Sequence, residues 1–108
     1  MKRGDFVVVA LQGDYGKARP ALVLQSDLFS EHPSLTIAPV TSTIVDAPLF
    51  RVTIEPSPTN GLKAVSQIMV DKVTSVRRDR VSQTLGSLAD DVMLRVNRAL
   101  VLWLGLTA

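Results

Sequence analysis

GKARPALVLQSD, residues 16–27, places a fixed positive charge directly before a proline, and the proline opens an apolar run. The proline ring clashes with a helical conformation at the residue before it, so Arg19 is driven toward extended geometry. Proline is tolerated as the first residue of a strand, where it costs no central ladder bond. PALVLQ (20–25) therefore reads as a strand with an arginine at its mouth. The guanidinium should project from the rim of the fold rather than enter the core.

The flanking segments extend the same pattern. DFVVVAL (5–11) is a strand rich in β-branched residues and ends at the glycine-bearing loop QGDYGK. The first strands are nearly continuous apolar runs, as expected of strands buried on both faces. SDLFSEHPS (26–34) is a loop, and LTIAPVTS (35–42) is a third strand whose Pro39 argues for a bulge or an edge. LFRVTIE (49–55) alternates, with Phe50, Val52 and Ile54 on one side and Arg51 and Thr53 on the other. PSPTNGLK (56–63) is turn chemistry, with Asn60-Gly61 able to take positive φ. AVSQIMVDKV (64–73) reads as a fifth strand, RRDR (77–80) as a short helical turn, and LGS as a break.

A helix is expected from Leu88 to Leu104, with Ser87 as N-cap and Asp90 and Asp91 near the positive end of its dipole. Leu88, Val92, Val96, Ala99, Leu100 and Trp103 recur at helical spacing, while Arg95 and Arg98 fall on the other side. Five or six short strands and one amphipathic helix give a mainly β fold with a C-terminal α-helix. The simplest version is a small SH3-like barrel, one domain over residues 1–108.

Composition narrows the chemistry. Hydrophobic residues make up 46% of the 108 and charged residues 20%, which suits an ordered chain with a real core. Net charge is only +2, and arginine outnumbers lysine eight to four, a weak pointer to a polyanionic partner. The chain has no cysteine, so disulfides, zinc–thiolate sites and cysteine nucleophiles are excluded. FVVVAL is too short for a signal peptide's apolar region, and ALVLWLGLTA is too short to span a membrane. No membrane association and a cytoplasmic location are the expectation.

The single histidine, His32, falls in a loop, so histidine-pair catalysis is excluded. Carboxylates are scattered apart from Asp90-Asp91, which point about 100° apart on a helix, and no metal cluster is expected. GDYG lacks the length and the ending of a phosphate-binding loop. Arg19 remains. Its five donors at the barrel rim suit a phosphate, or they tie down a loop by pairing with Asp14 or Asp5. PVTST (39–43) ends the third strand with hydroxyls that can hydrogen-bond an oxyanion or simply make a polar turn.

These segments, taken in order, resemble the MazF/PemK toxins of type II toxin–antitoxin systems. KRGDFVVV, ARPALVLQSD, APVTS, NGL, SQIMVDKV and the closing GSLADDVMLRVNRALVLWLGL all resemble the family's pattern at its spacing. The resemblance implies a homodimer of SH3-like barrels that cuts single-stranded RNA without metal or other cofactor. It implies a cognate antitoxin whose flexible segment offers carboxylates to the arginines. It also implies a catalytic pair of Arg19 and Thr41, with Asp14 in place of the family's frequent glutamate, keeping the charge but shortening the reach, either to accept the 2′-proton or to hold Arg19. Lys17 and Ser42 beside that pair, and the basic residues Lys72, Arg77, Arg78 and Arg80, are candidate RNA contacts. The chain departs from the family at Asp71-Lys72, where a glutamine often follows the acidic residue. Homodimerisation through apolar strand residues and the terminal helix would make Trp103 an anchor or a core residue.

Two rival readings use the same barrel. A gyrase poison of the CcdB type would act by binding through a tryptophan-bearing tail and would need no catalytic pair. A non-catalytic SH3-like module would need an aromatic groove, and the five aromatics here are widely spaced.

Overall fold

The computed structural model describes residues 1–11 and 17–106. Seven strands, β1 (Asp5–Ala10), β2 (Ala18–Val23), β3 (Ser34–Thr41), β4 (Arg51–Ile54), β5 (Ser66–Met69), β6 (Thr74–Arg77) and β7 (Val81–Ser87), precede one helix, α1 (Asp90–Leu104). All pairings are antiparallel. The path β4-β5-β3-β2-β1-β7 carries β6 as a second partner of β3, so β3 belongs to two ladders. One half of β3 pairs with β6 over Ser34–Ile37, and its end pairs with β5 at Val40 and Thr41.

Pro39 lies between those two ladders and is matched only to Ala21 of β2. The bulge or edge expected from this proline is therefore replaced by a handover point, where a missing N–H breaks no ladder on that side.

β6 and β7 are joined by a 3₁₀ turn, Arg78–Arg80, and so curl toward each other across the β1–β2–β3 face. The barrel is bent but not closed. Its inner face buries Val7, Val9, Ala21, Val23, Leu35 and Ile37, with Val76 and Val81 packed alongside. The other face, with the β3–β5–β4 wing, buries Phe6, Leu22, Ala38, Val52, Ile54 and Ile68 against Val96 and Ala99 of α1. The apolar runs of β1 and β2 are thus buried on both sides, as their composition requires.

Three boundaries differ from the sequence reading. The expected fifth strand over 64–73 is shorter, β5 at Ser66–Met69, because a 3₁₀ turn over Val70–Lys72 ends it and bends the chain from the wing back to the barrel, where β6 begins at Thr74. The LGS break is the end of β7: Val81–Ser87 pairs with β1, with irregularities between Phe6/Val7 and Val8/Val9. Ser87 is consequently a strand residue and not an N-cap; α1 starts after Ala89, which makes no side-chain cap bond. Leu88 instead donates its N–H to Gly4 at 2.8 Å.

At the other end Gly105 takes φ 68°, with Gly105 N–H to Leu102 C=O at 3.2 Å and Leu106 N–H to Val101 C=O at 2.9 Å. This is a Schellman cap. Arg3 fastens the helix to the sheet, donating from Nε to the Leu24 carbonyl at 2.7 Å and from its guanidinium to Asn97 Oδ1 at 2.7 Å. Trp103 is half exposed and leans on Phe50 with ring centroids 5.6 Å apart, so it is not a core residue.

Candidate functional site

Arg19 lies in β2 opposite Val9 of β1. The β2–β3 ladder runs from Val23 opposite Ile37 to Ala21 opposite Pro39, and Arg19 and Thr41 each lie two residues beyond that last pair. Both strands continue past that pair, β2 to Ala18 and β3 to Thr41, which carries the two residues toward the same end of the sheet. Both line one open groove of about 690 Å³.

Pro20, Val8 and Val40 contribute apolar wall, and Ser42, Thr43 and Ser66 contribute hydroxyls. The Thr43 N–H donates to Thr41 Oγ1 at 3.1 Å, so the threonine hydroxyl is already oriented by its own strand end.

The rest of the lining comes from distant parts of the chain: Gly61, Leu62, Lys63 and Ala64 from the turn after β4, and Gln83 and Leu85 from β7. The turn over 57–62 is built around Asn60, whose buried side chain accepts from Ser57 N–H and Leu62 N–H, each at 3.0 Å, and donates to Glu55 C=O at 2.9 Å. Gly61 adopts φ +69°, and a Cβ there would run into the Leu85 carbonyl. This backbone-to-backbone seating delivers Lys63 to the groove. Lys63 and Gln83 are groove residues that the sequence did not point to. The Asn60-Gly61 turn signal marked the segment before Lys63, and nothing in the sequence reading marked the strand that carries Gln83.

Among the described residues, Arg19 and Lys63 are the cations lining the groove, and no carboxylate lines it. Also among them, no group of three or more His, Cys, Asp or Glu stands together as metal ligands would. No helix of the described residues is long and apolar enough to cross a membrane.

The remaining expected site residues are placed as follows. Asp14 lies outside the described residues. Lys17 is exposed, one residue before the groove-lining Ala18. Asp5 accepts from the Lys2 N–H at 2.9 Å, at the end of β1 away from Val9, and does not hold Arg19.

Lys72, Arg77 and Arg78 do not line the groove. Arg77 pairs in register with Ser34, the first residue of β3, whereas Thr41 is the last. That separation is roughly 23 Å along the strand. Arg77 is ion-paired with Asp79 at 2.6 Å. Arg78 donates from Nε to the His32 carbonyl at 2.8 Å, holding the 26–34 loop. His32 is part of that loop's own bracing, its Nδ1 accepting from Ser34 N–H at 3.0 Å. Arg80 is exposed in the same 3₁₀ turn.

Lys72 follows Asp71, which is bound by Arg51 through two bonds of 2.7 and 3.1 Å. That hydrogen bond holds the Asp71 carboxyl below its ordinary value, with burial opposing it, and holds Arg51 above its own. The pair joins β4 to the 3₁₀ turn after β5.

Comparison with known proteins bears on this arrangement. A family model described as PemK-like, MazF-like toxin of type II toxin–antitoxin system matches residues 2–104. The chain is 46% identical over 107 residues to a probable endoribonuclease MazF of Mycolicibacterium smegmatis, covering 98% of each chain. It is similar in structure to the MazF of a MazE–MazF complex from Deinococcus radiodurans, with a TM-score of 0.77 at 29% identity, over 97% of this chain and 96% of that one. A mycobacterial endoribonuclease in complex with its cognate antitoxin shares the fold, with a TM-score of 0.84 at 23% identity, over 100% and 98% of the two chains. With the family pattern spanning both the strands that carry the groove and the closing helix, the chain belongs to the PemK-like, MazF-like toxins of type II toxin–antitoxin systems.

Proposed function

We propose that the protein is an endoribonuclease that cuts single-stranded RNA by attack of the substrate's own 2′-hydroxyl, with no metal or other cofactor taking part. The observation that carries this reading is that Arg19 and Thr41, on neighbouring strands of a chain of this family, line one open groove. The 2′-oxygen bonds to phosphorus as the bond from phosphorus to the 5′-oxygen breaks. The 2′-proton leaves, the departing 5′-oxygen takes up a proton, and the ends are a 2′,3′-cyclic phosphate and a 5′-hydroxyl. Such a reaction asks the protein to orient the nucleophile and to stabilise charge on the phosphorane.

Arg19 is assigned the stabilising charge, and Thr41 a hydrogen bond to the same oxyanion. Asp14 is assigned to hold Arg19 in place. Lys17, Ser42, Lys63 and Gln83 are placed along the RNA path; the reading does not rest on Lys72, Arg77 or Arg78. Cleavage is sequence-specific in this reading and inhibits translation, and the protein acts in the cytoplasm. Two copies pair through apolar strand residues and the helix end, where Leu102, Trp103, Leu104 and Leu106 are exposed. A cognate antitoxin silences the enzyme by laying carboxylates across the groove in place of phosphates.

The test is incubation of the purified protein with a long RNA in the presence of a chelator. Discrete cuts ending in cyclic phosphate and 5′-hydroxyl are expected, and a 2′-deoxy residue at a mapped site should block that cut. Intact RNA would refute the assignment, and stalled gyrase beside it would favour the gyrase-poison reading.

A further inference from the structure

Thr41 is the last residue of β3, and the chain after it is irregular. Ile44 and Val45 on that segment are 50% and 43% exposed, so their side chains do not pin it to the core. Val45 is nevertheless fixed through its backbone. Gln67, 3% exposed, accepts the Val45 N–H at Oε1 (3.1 Å) and donates from Nε2 to the Val45 carbonyl (2.8 Å). A side-chain amide offers a donor and an acceptor in one plane, as a peptide group does. Gln67 therefore serves Val45 as a neighbouring strand would.

The amide has one workable orientation, since a carbonyl only accepts and an N–H only donates. Nε2 also reaches Thr53 Oγ1 at 3.1 Å, which steadies it further. In register, Gln67 lies between Thr41 on β3 and Thr53 on β4, so the three share a row across the sheet. The strand end is thus clamped at two points: Thr43 N–H on the Thr41 hydroxyl, and both backbone groups of Val45 on Gln67.

We propose that Gln67 is a positioning residue for RNA cleavage, holding the 41–45 segment through Val45 so that the Thr41 hydroxyl meets the scissile phosphate. The inference rests on the reaction proposed above but concerns a residue outside the groove. Gln67→Met keeps the length and removes both bonds to Val45. On a short RNA carrying one mapped cut, kcat should fall on the order of ten- to a hundredfold with KM nearly unchanged, because misplacement of a reacting group by about 1 Å has such an effect.

A double-mutant cycle with Thr41→Val separates positioning from general destabilisation. If Gln67 acts through Thr41, Gln67→Met causes no further loss in the Thr41→Val protein. Losses that multiply overturn the inference, as does an unchanged kcat in Gln67→Met. Should Gln67→Met not fold, Thr53→Val at an exposed strand position removes only the steadying bond. A severalfold fall in kcat that vanishes in the Thr41→Val background is then expected, and a fall that persists there overturns the inference. A wild-type rate in Thr41→Val alone overturns the role given to Thr41 and the inference with it. Amide exchange reads the clamp itself, whatever happens to RNA: Thr43 and Val45 should lose protection in Gln67→Met, or in Thr53→Val where that variant stands in. Unchanged exchange at both overturns the inference while leaving the proposed activity standing.

Discussion

Arg19 owes its place to the residue that follows it. Pro20 excludes helical geometry at Arg19, and the β1 and β2 registers then carry the guanidinium to the groove rim. Arg19→Ala should leave the fold intact, with an unchanged circular dichroism spectrum, and lower the cleavage rate on the order of 10²- to 10³-fold if the charge stabilises the transition state. Lys63 belongs to the same charge field without a role in bond-breaking. Lys63→Ala should weaken RNA binding and reduce the salt dependence of log K by about one phosphate contact, measured by titration at several salt concentrations.

Asp71 makes a different kind of contribution. Its folded-state carboxyl titrates below the unfolded one because of Arg51. Its stabilisation is therefore present above the unfolded value, near pH 4, and drains away as pH falls through the lower folded value. Asp71→Asn should lower the melting temperature at neutral pH, and the gap to the parent protein should close in acid. A gap that stays constant to about pH 2 would disprove this linkage.

The elements were legible in the sequence where hydrophobic pattern and turn chemistry agreed. β1, β2, β3 and β4 announce themselves by β-branched runs or alternation, and the body of α1 by its apolar stripe. β7 did not, because SQTLGS is polar, contains a glycine, and is a strand only by virtue of pairing with β1. β5 is shorter than its apolar pattern predicts: the 3₁₀ turn that ends it, of Val, Asp and Lys, carries no breaker residue. The strands that carry Arg19 and Thr41 were recognisable, but only the family resemblance singled the two residues out as a pair, and both line the groove. Lys63, Gln83 and the clamp on Val45 were not legible, since they depend on contacts between segments far apart in the chain.

The turn between β4 and β5 tests this at its own scale. Gly61→Ala meets both a left-handed backbone and the Leu85 carbonyl, so it should destabilise by at least about 1–3 kcal/mol, read by chemical denaturation. The same change at Gly105, also left-handed but with open space around it, should bring only the backbone strain.

At the scale of the whole molecule, the two apolar clusters lie on opposite sides of the same three strands, and α1 covers only one of them. The basic residues at the barrel's far end are engaged locally: Arg78 braces a loop and Arg77 meets Asp79. The groove's own positive charge rests on Arg19 and Lys63 among the described residues.

Because β3 is held by β6 along one half and by β5 at its tip, and by β2 between, the barrel and the wing share one strand, and losing that strand unfolds both. Heat or denaturant should consequently abolish every property in a single step. Loss of ribonuclease turnover, of the sheet signal and of tryptophan emission from the helix end should superimpose on one sigmoid, with no inactive yet compact species on the way.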